Sequence, residues 1–326
     1  MKGAPTGVRA VAIGGGTGLP RVLRCLIADG YETTAVVTMA DDGGSSGALR
    51  RELGMLPPGD VRNCLVAMGD AESPLGRLFQ YRFPHGEGLA GHALGNLIIA
   101  ALADITGSFP AAIEAAGSLV GTHGRVLPCT LEDVALHAED VSGTPIAGQA
   151  LIAQSCGPFA HITLEPEIPA AYPPALEAIA EADVIVIGPG SLYTSIIPNF
   201  LVAGVAQAVR ASSARRVYVC NVANQRGETS DMDAEAHVRA LFEHGLAGAI
   251  DVVIVHRGED VPAASDHPGG CEEGVPYDVD VVRADREVCA RIEALGPAVH
   301  VANLVDPAQP LRHDPARLCR TFGEVF

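Results

Sequence analysis

Arg9-Ala10-Val11-Ala12-Ile13-Gly14-Gly15-Gly16-Thr17-Gly18-Leu19 runs from an apolar segment into a glycine-rich turn. The pattern repeats at once. Thr34-Ala35-Val36-Val37-Thr38 leads into Asp41-Asp42-Gly43-Gly44-Ser45-Ser46-Gly47, with Arg50 close behind. Each glycine turn stands between a buried-type strand and a helix start. In that context glycines let the backbone approach a phosphate, and free helix N–H groups receive negative charge. Strands are expected at 8–13 and 34–38, and helices at 18–29 and 47–53.

The same unit returns near the middle of the chain. Asp183-Val184-Ile185-Val186-Ile187 runs into Gly188-Pro189-Gly190-Ser191-Leu192-Tyr193-Thr194-Ser195, where Ser191, Thr194 and Ser195 would cap a helix reaching Ala208. Alternating strands and helices of this kind predict an α/β fold. The expected form is a doubly wound, mostly parallel sheet, a Rossmann-like three-layer α/β/α architecture. The later strands are Val217–Val222, Asp251–Val255 and Val299–Leu304. No linker, repeat or composition break divides residues 1–326, so one domain is expected. Three glycine turns at strand carboxyl ends are where open α/β sheets bind ligands.

Composition narrows the function classes. The 326 residues are 48% hydrophobic and 19% charged, which suits a folded core. No apolar run approaches the roughly 20 residues of a membrane span, and Met1–Gly7 has no signal-peptide character. A cytoplasmic protein with no membrane insertion is expected. The net charge of −17 argues against nucleic-acid binding. Lys2 is the only lysine, so a P-loop lysine and a Schiff-base lysine are both excluded. The 8 cysteines form no Cys-x-x-Cys pair. Cys25, Cys64 and Cys220 sit in apolar runs and read as buried reduced thiols.

The second turn carries the sharpest chemistry. Asp41 and Asp42 are adjacent carboxylates at a strand end, suited to Mg²⁺, which prefers carboxylate and phosphate oxygens. Ser45 and Ser46 would cap the next helix or bond a phosphate. Arg50, one turn in, would face the same ligand. In Pro57-Pro58-Gly59-Asp60-Val61-Arg62-Asn63, Asp60 reads as an N-cap, and Arg62 and Asn63 fall in the first helical turn. A cation is disfavoured there unless a ligand requires it. His92 and Asn96 are four apart on an apolar helix and share a face. No acid ends the second strand where NAD would place its ribose, so NAD is disfavoured. Nothing in the pattern calls for flavin or haem. No nucleophile–base pair can be assigned from spacing.

Together, Gly14–Leu19, Ala40–Gly47, Pro57–Asn63, Gly91–Leu97, Gly188–Asn199 and Asn221–Thr229 resemble the gluconeogenesis factor (YvcK-like) family, within a superfamily that includes 2-phospho-L-lactate transferase. The resemblance extends to His313-Asp314-Pro315. It implies binding of a UDP-sugar such as UDP-N-acetylglucosamine, and roles in gluconeogenic growth, cell shape and wall synthesis without established turnover. A Mg²⁺-dependent phospho-transferase is the implied alternative. The ligand set follows. Gly14, Gly15, Gly16 and Thr17, with Asp41, Asp42, Gly43, Gly44, Ser45 and Ser46, would take the diphosphate and any Mg²⁺. Gly188, Gly190, Ser191 and Thr194 would take the sugar or ribose. Arg50, Arg62, Asn63, His92, Asn96, Asn221 and Arg312 complete the set. A homodimer and an unidentified protein partner are both compatible with the sequence. One departure stands out: Asn224 and Arg226 replace the Thr and Pro of the family's Thr-Gln-Pro-Gly-Glu-Thr loop.

Overall fold

The computed structural model describes residues 7–155, 157, 159–225, 227–257 and 280–326. The first strand, β1 (Arg9–Gly14), is buried from Ala10 onward on both faces, as a central parallel strand requires. After its glycine turn come α1 (Leu19–Ala28) and β2 (Glu32–Val37). A helical run follows, α2 (Gly44–Leu53), α3 (Gly59–Met68), α4 (Pro74–Gln80), α5 (Leu94–Thr106) and α6 (Phe109–Val120), before β3 (Arg125–Pro128). Next are β4 (Ala135–Asp140), β5 (Pro145–Ala147), α7 (Gln149–Gln154), β6 (Phe159–Glu165) and α8 (Pro173–Ala180). The second half adds β7 (Val184–Ile187), α9 (Ile197–Leu201), α10 (Val205–Ala211), β8 (Arg215–Val219), α11 (Ala234–Leu241) and β9 (Val252–His256). The chain closes with α12 (Arg286–Ala294), β10 (Ala298–Ala302), β11 (Val305–Asp306), β12 (Gln309–His313) and α13 (Pro315–Val325).

Seven strands form one parallel sheet in the order β10-β9-β8-β7-β1-β2-β3, flanked by helices. This is the doubly wound α/β fold the sequence predicts. From β1 the chain winds outward to β2 and β3, and from β7 it winds the other way. The switch point therefore lies between β1 and β7, paired Ala10↔Val184 through Ile13↔Ile187. Val184 to Ile187 are all buried, which explains their unbroken apolar run.

Several expectations are corrected. Helix α2 starts at Gly44, not Gly47, with Gly43 as N-cap and no side-chain cap. Ser45 and Ser46 therefore lie inside its first turn and their hydroxyls are free for other bonds. Asp60 is not the N-cap of α3; Pro58 holds that position. His92 precedes α5, which begins at Leu94. Tyr81, whose aromatic side chain between Phe79 and Phe83 reads in the sequence as core, is 47% exposed. The helix after Ser191 does not run to Ala208. A π-turn at Leu192–Ile196 leads into α9, Val202 is extended, and Gly204 restarts the helix at φ +87°. Strands β4 and β6, which the apolar runs at Val134–Ala138 and Ile162–Leu164 announce, stand outside the main sheet. They form a three-stranded antiparallel sheet, β5-β4-β6, whose Leu136, Ala138, Ile162 and Leu164 join the main core.

The largest correction concerns thiols. Cys25 and Cys319 form a disulfide across 294 residues, joining α1 to α13. Each lies in a helix with a strong apolar stripe, so each reads locally as a core residue. Their pairing arises only when the last helix packs on the first. Cys64, Cys129 and Cys220 are free and buried, as expected. The Glu259–Glu273 loop and Arg226 lie outside the described residues.

Candidate functional site

The crevice at the switch point is built by two glycine turns. Gly18 and Pro189 approach so closely that a Cβ on Gly18 would stand 2.3 Å from the Pro189 carbonyl oxygen. Gly188 adopts φ +70° and is followed by a cis bond to Pro189. Asn221, just past β8, clasps the turn at both backbone groups. Its Oδ1 accepts from Gly190 N–H (3.2 Å), and its Nδ2 donates to Gly190 O (2.7 Å). Ser191 Oγ donates to Gln225 Oε1 (2.5 Å). The cavity, about 240 Å³, is lined by Thr17, Gly18, Arg21, Gly190, Ser191, Asn221, Gln225 and Arg312, among others. Arg312 arrives on β12, whose hairpin with β11 the sequence does not announce. A larger open depression, about 560 Å³, lies at the opposite ends of the strands around Arg9, Glu32, Arg125 and Glu181. Ligands of open α/β sheets bind at the carboxyl ends, so the smaller crevice is the candidate.

A second polar cluster adjoins the first glycine turn. Gly16 N–H donates to Asp60 Oδ2 (2.7 Å). A Cβ on Gly15 would fall 2.6 Å from that oxygen, so only glycine leaves room for it. Asp60 is partly buried as a residue, but its carboxylate is enclosed. Burial, and next the neighbouring Asp41, push its pKa up to about 6, against the pull of Gly16 N–H and Arg62. Burial also raises Asp41, opposed by bonds from Gly43 N–H and the Ser46 hydroxyl. Ser46 Oγ in turn accepts from Gly59 N–H (3.1 Å).

Five of the expected residues join in one chain. Buried Arg62 donates from Nη1 to Asn96 Oδ1 (2.9 Å), and from Nη2 to Asn63 Oδ1 (2.7 Å). Asn96 Nδ2 donates to Ser45 Oγ (3.0 Å), which lies 3.2 Å from His92 Nδ1. His92 and Asn96 meet on one hydroxyl even though His92 is not helical. Burial, and next Arg82, lower Arg62 to about 10, while Asp60 and Asp41 hold it up.

Other expected residues have different jobs. Asp42 accepts from Gln149 N–H (3.0 Å) and Ala150 N–H (2.8 Å), which caps the N-terminus of α7. Arg50 turns away to Val134 O (2.6 Å) and Asp133 (2.7 Å). Gly14 O accepts from Asn199 Nδ2 (3.3 Å). Gly44 is exposed, with φ +44°. Thr194 is buried beside Glu228, whose carboxyl burial raises to about 7.

Asp41 thus has a carboxylate neighbour on each side: Asp42, which raises its pKa, and Asp60, whose pKa it raises in turn. Among the described residues, no group of three or more His, Cys, Asp or Glu could hold a metal ion. Two crowded carboxylates do suit Mg²⁺, which commonly takes one or two protein carboxylates and completes its shell with water and phosphate oxygens.

The architecture is shared with known proteins. The family model of 2-phospho-L-lactate transferase CofD matches residues 10–296. The chain belongs to the CofD family. Within the CofD family it is 45% identical to the gluconeogenesis factor of Halalkalibacterium halodurans, over 83% of this chain and 84% of that one. It is 44% identical to the gluconeogenesis factor of Bacillus subtilis, over 82% and 84%. The crystal structure of an upf0052-family protein from Bacillus halodurans superposes with a TM-score of 0.85 at 38% identity, covering 98% of this chain and 99% of that one. Among the described residues no helix is long and apolar enough to cross a membrane.

Sequence reasoning missed Arg21, Gln225 and the role of Asp60. Arg21 carried a usable signal, a cation in the first turn of the helix that follows a glycine-rich turn. Asp60 read as a cap because Gly59-Asp60 precedes a helix. Its true partner, Gly16, is 44 residues away.

Proposed function

We propose that this protein binds a UDP-sugar of the UDP-N-acetylglucosamine type in the switch-point crevice and acts as a regulator of carbon metabolism and cell shape. The carrying observation is the crevice itself. A glycine turn, the uncapped start of α1 and the Arg312 guanidinium converge on one cavity at strand carboxyl ends. That combination recognises a phosphate-linked ligand even on a protein of net charge −17. The gluconeogenesis factors among its relatives support the metabolic role. The protein is expected to work in the cytoplasm and to bind no nucleic acid. Gly14 to Thr17 would face the diphosphate, and Gly190, Ser191 and Asn221 the sugar or ribose. Calorimetric titration of UDP-N-acetylglucosamine should give saturable binding in wild type. Arg312→Met should weaken it roughly tenfold or more, the value of a lost charge-assisted bond. Absence of binding in wild type would remove this reading.

A second reading has its own observation. Asp41 and Asp60 crowd together beside the first glycine turn, and the CofD match extends across them. In a Mg²⁺-dependent transferase these two carboxylates would hold the ion, which would polarise phosphate oxygens. Arg62, whose charge both acids favour, would balance charge. Turnover of a nucleotide-activated phospho-substrate with Mg²⁺ present would favour this reading over the first.

A further inference from the structure

Arg21 and Arg312 bring two guanidiniums to one small crevice. Arg21 is the third residue of α1, whose first turn has no acid. A cation is unfavourable at a helix N-terminus, so its presence there needs a reason. Its Nε is buried without a hydrogen-bond partner, and neither guanidinium pairs with a described residue. Burial and then Arg312 disfavour the charge on Arg21, and Arg24 adds to this; Asp306 offsets it in part without an ion pair. The cavity, about 240 Å³, falls below the roughly 300–1,000 Å³ of sites for drug-sized ligands. It therefore suits the charged middle of an extended ligand rather than the whole.

We propose that Arg21 is a specificity residue for diphosphate: with Arg312 it takes the two phosphoryl groups of a nucleoside diphosphate and disfavours a monophosphate. This rests on the ligand reading above and adds a residue and a selection rule to it. One phosphoryl group carries enough charge for both cations but matches one guanidinium fork, and leaves the other without a paired edge of oxygens. Two adjacent phosphoryl groups satisfy both. The Thr17 hydroxyl, which also lines the crevice, supplies a neutral donor beside them.

The test is calorimetric titration of UDP, UMP and inorganic pyrophosphate into wild type, Arg21→Met and Arg21→Lys. Wild type should prefer UDP to UMP. Arg21→Met should lose roughly ten- to a hundredfold in affinity for UDP and pyrophosphate while its UMP affinity stays level. Arg21→Lys, which keeps the charge but not the fork, should fall between. The ligand-free Arg21→Met protein should melt no lower than wild type, since a repelled cation is removed; a purely structural arginine would lower it. An unchanged UDP-to-UMP ratio in Arg21→Met overturns the proposal and leaves the nucleotide reading standing. Arg21-dependent pyrophosphate binding by a protein that binds no UDP sinks the nucleotide reading and supports the two-arginine site. Failure of wild type to bind either diphosphate overturns the proposal.

Discussion

Asp60 shows how one carboxylate links fold and chemistry. It accepts the Gly16 N–H and so shapes the first glycine turn, yet it does so beside Asp41 in an enclosed place. Its pKa of about 6 exceeds the ordinary 3.8. The folded state therefore holds this proton more tightly than the unfolded chain. Its stabilising effect is complete below about pH 3.8 and is lost as pH rises through about 6. The displacement corresponds to a penalty of about 3 kcal/mol at neutral pH. Asp60→Asn keeps an oxygen for Gly16 N–H and removes the charge. Its stability relative to wild type should rise between pH 4 and pH 7.5, approaching that amount in urea melts; a difference that stays flat with pH would refute the assignment. His237 and His313 act with the opposite sign. Burial lowers both to about 4, so stability falls as pH drops from 6.5 toward that value. Asn224, where the resemblance leads one to expect Thr, holds His237 in place, its Oδ1 lying 3.0 Å from Nε2.

At the scale of elements, α13 decides whether Arg312 stands where it does. Its Asp314 N-cap accepts from Arg317 N–H (2.9 Å), and His313 Nε2 lies 3.0 Å from Cys220 O at the end of β8. The Cys25–Cys319 bond fastens the same helix to α1, four residues after Arg21. A loop of this length gives about 6 kcal/mol in the chain-entropy model, an upper figure. A thiol reductant should therefore lower the melting temperature of wild type, and Cys25→Ser/Cys319→Ser should melt low with or without reductant. A wild-type melt indifferent to reductant would show that packing of Leu318 and Phe322 alone anchors the helix. This bond and β12 escaped the sequence for different reasons. Strands such as Val184–Ile187 and turns such as Gly14–Gly18 are written locally, in burial period and glycine placement. The disulfide and the Asp60–Gly16 bond join positions 294 and 44 residues apart, whereas the β11–β12 hairpin pairs near neighbours, Val305 with His313 and Asp306 with Gln309. That hairpin is polar and proline-flanked, without the alternation that marks a strand. Asp42 illustrates the reverse error. Adjacent acids look like a pair, but in the loop after β2 Asp41 lies beside Asp60 while Asp42 accepts from Gln149 and Ala150 N–H and caps α7, where Asp42→Ala should cost about 1 kcal/mol.

Across the whole molecule, the first glycine turn serves two neighbourhoods at once. On one side the crevice gathers cations, Arg21 and Arg312; on the other, Gly16 N–H reaches the acids, Asp60 and Asp41. The regulator and the transferase differ in whether both are used together. For a binding protein, the crevice suffices, and Asp60 is a structural acid that shapes the turn. For a transferase, a metal held by Asp41 and Asp60 must meet phosphate oxygens delivered from the crevice, so ligand and metal bind cooperatively. Coupling of that kind is reciprocal and has a definite signature. Titrating UDP-N-acetylglucosamine with and without Mg²⁺ into wild type and Asp60→Asn measures it directly. Equal affinities in all four titrations, with no product, would assign the crevice to regulation alone. A Mg²⁺-dependent gain in wild type that vanishes in Asp60→Asn would tie the two neighbourhoods into one site, and product formed from a nucleotide-activated phospho-substrate at that site would overturn the regulator reading.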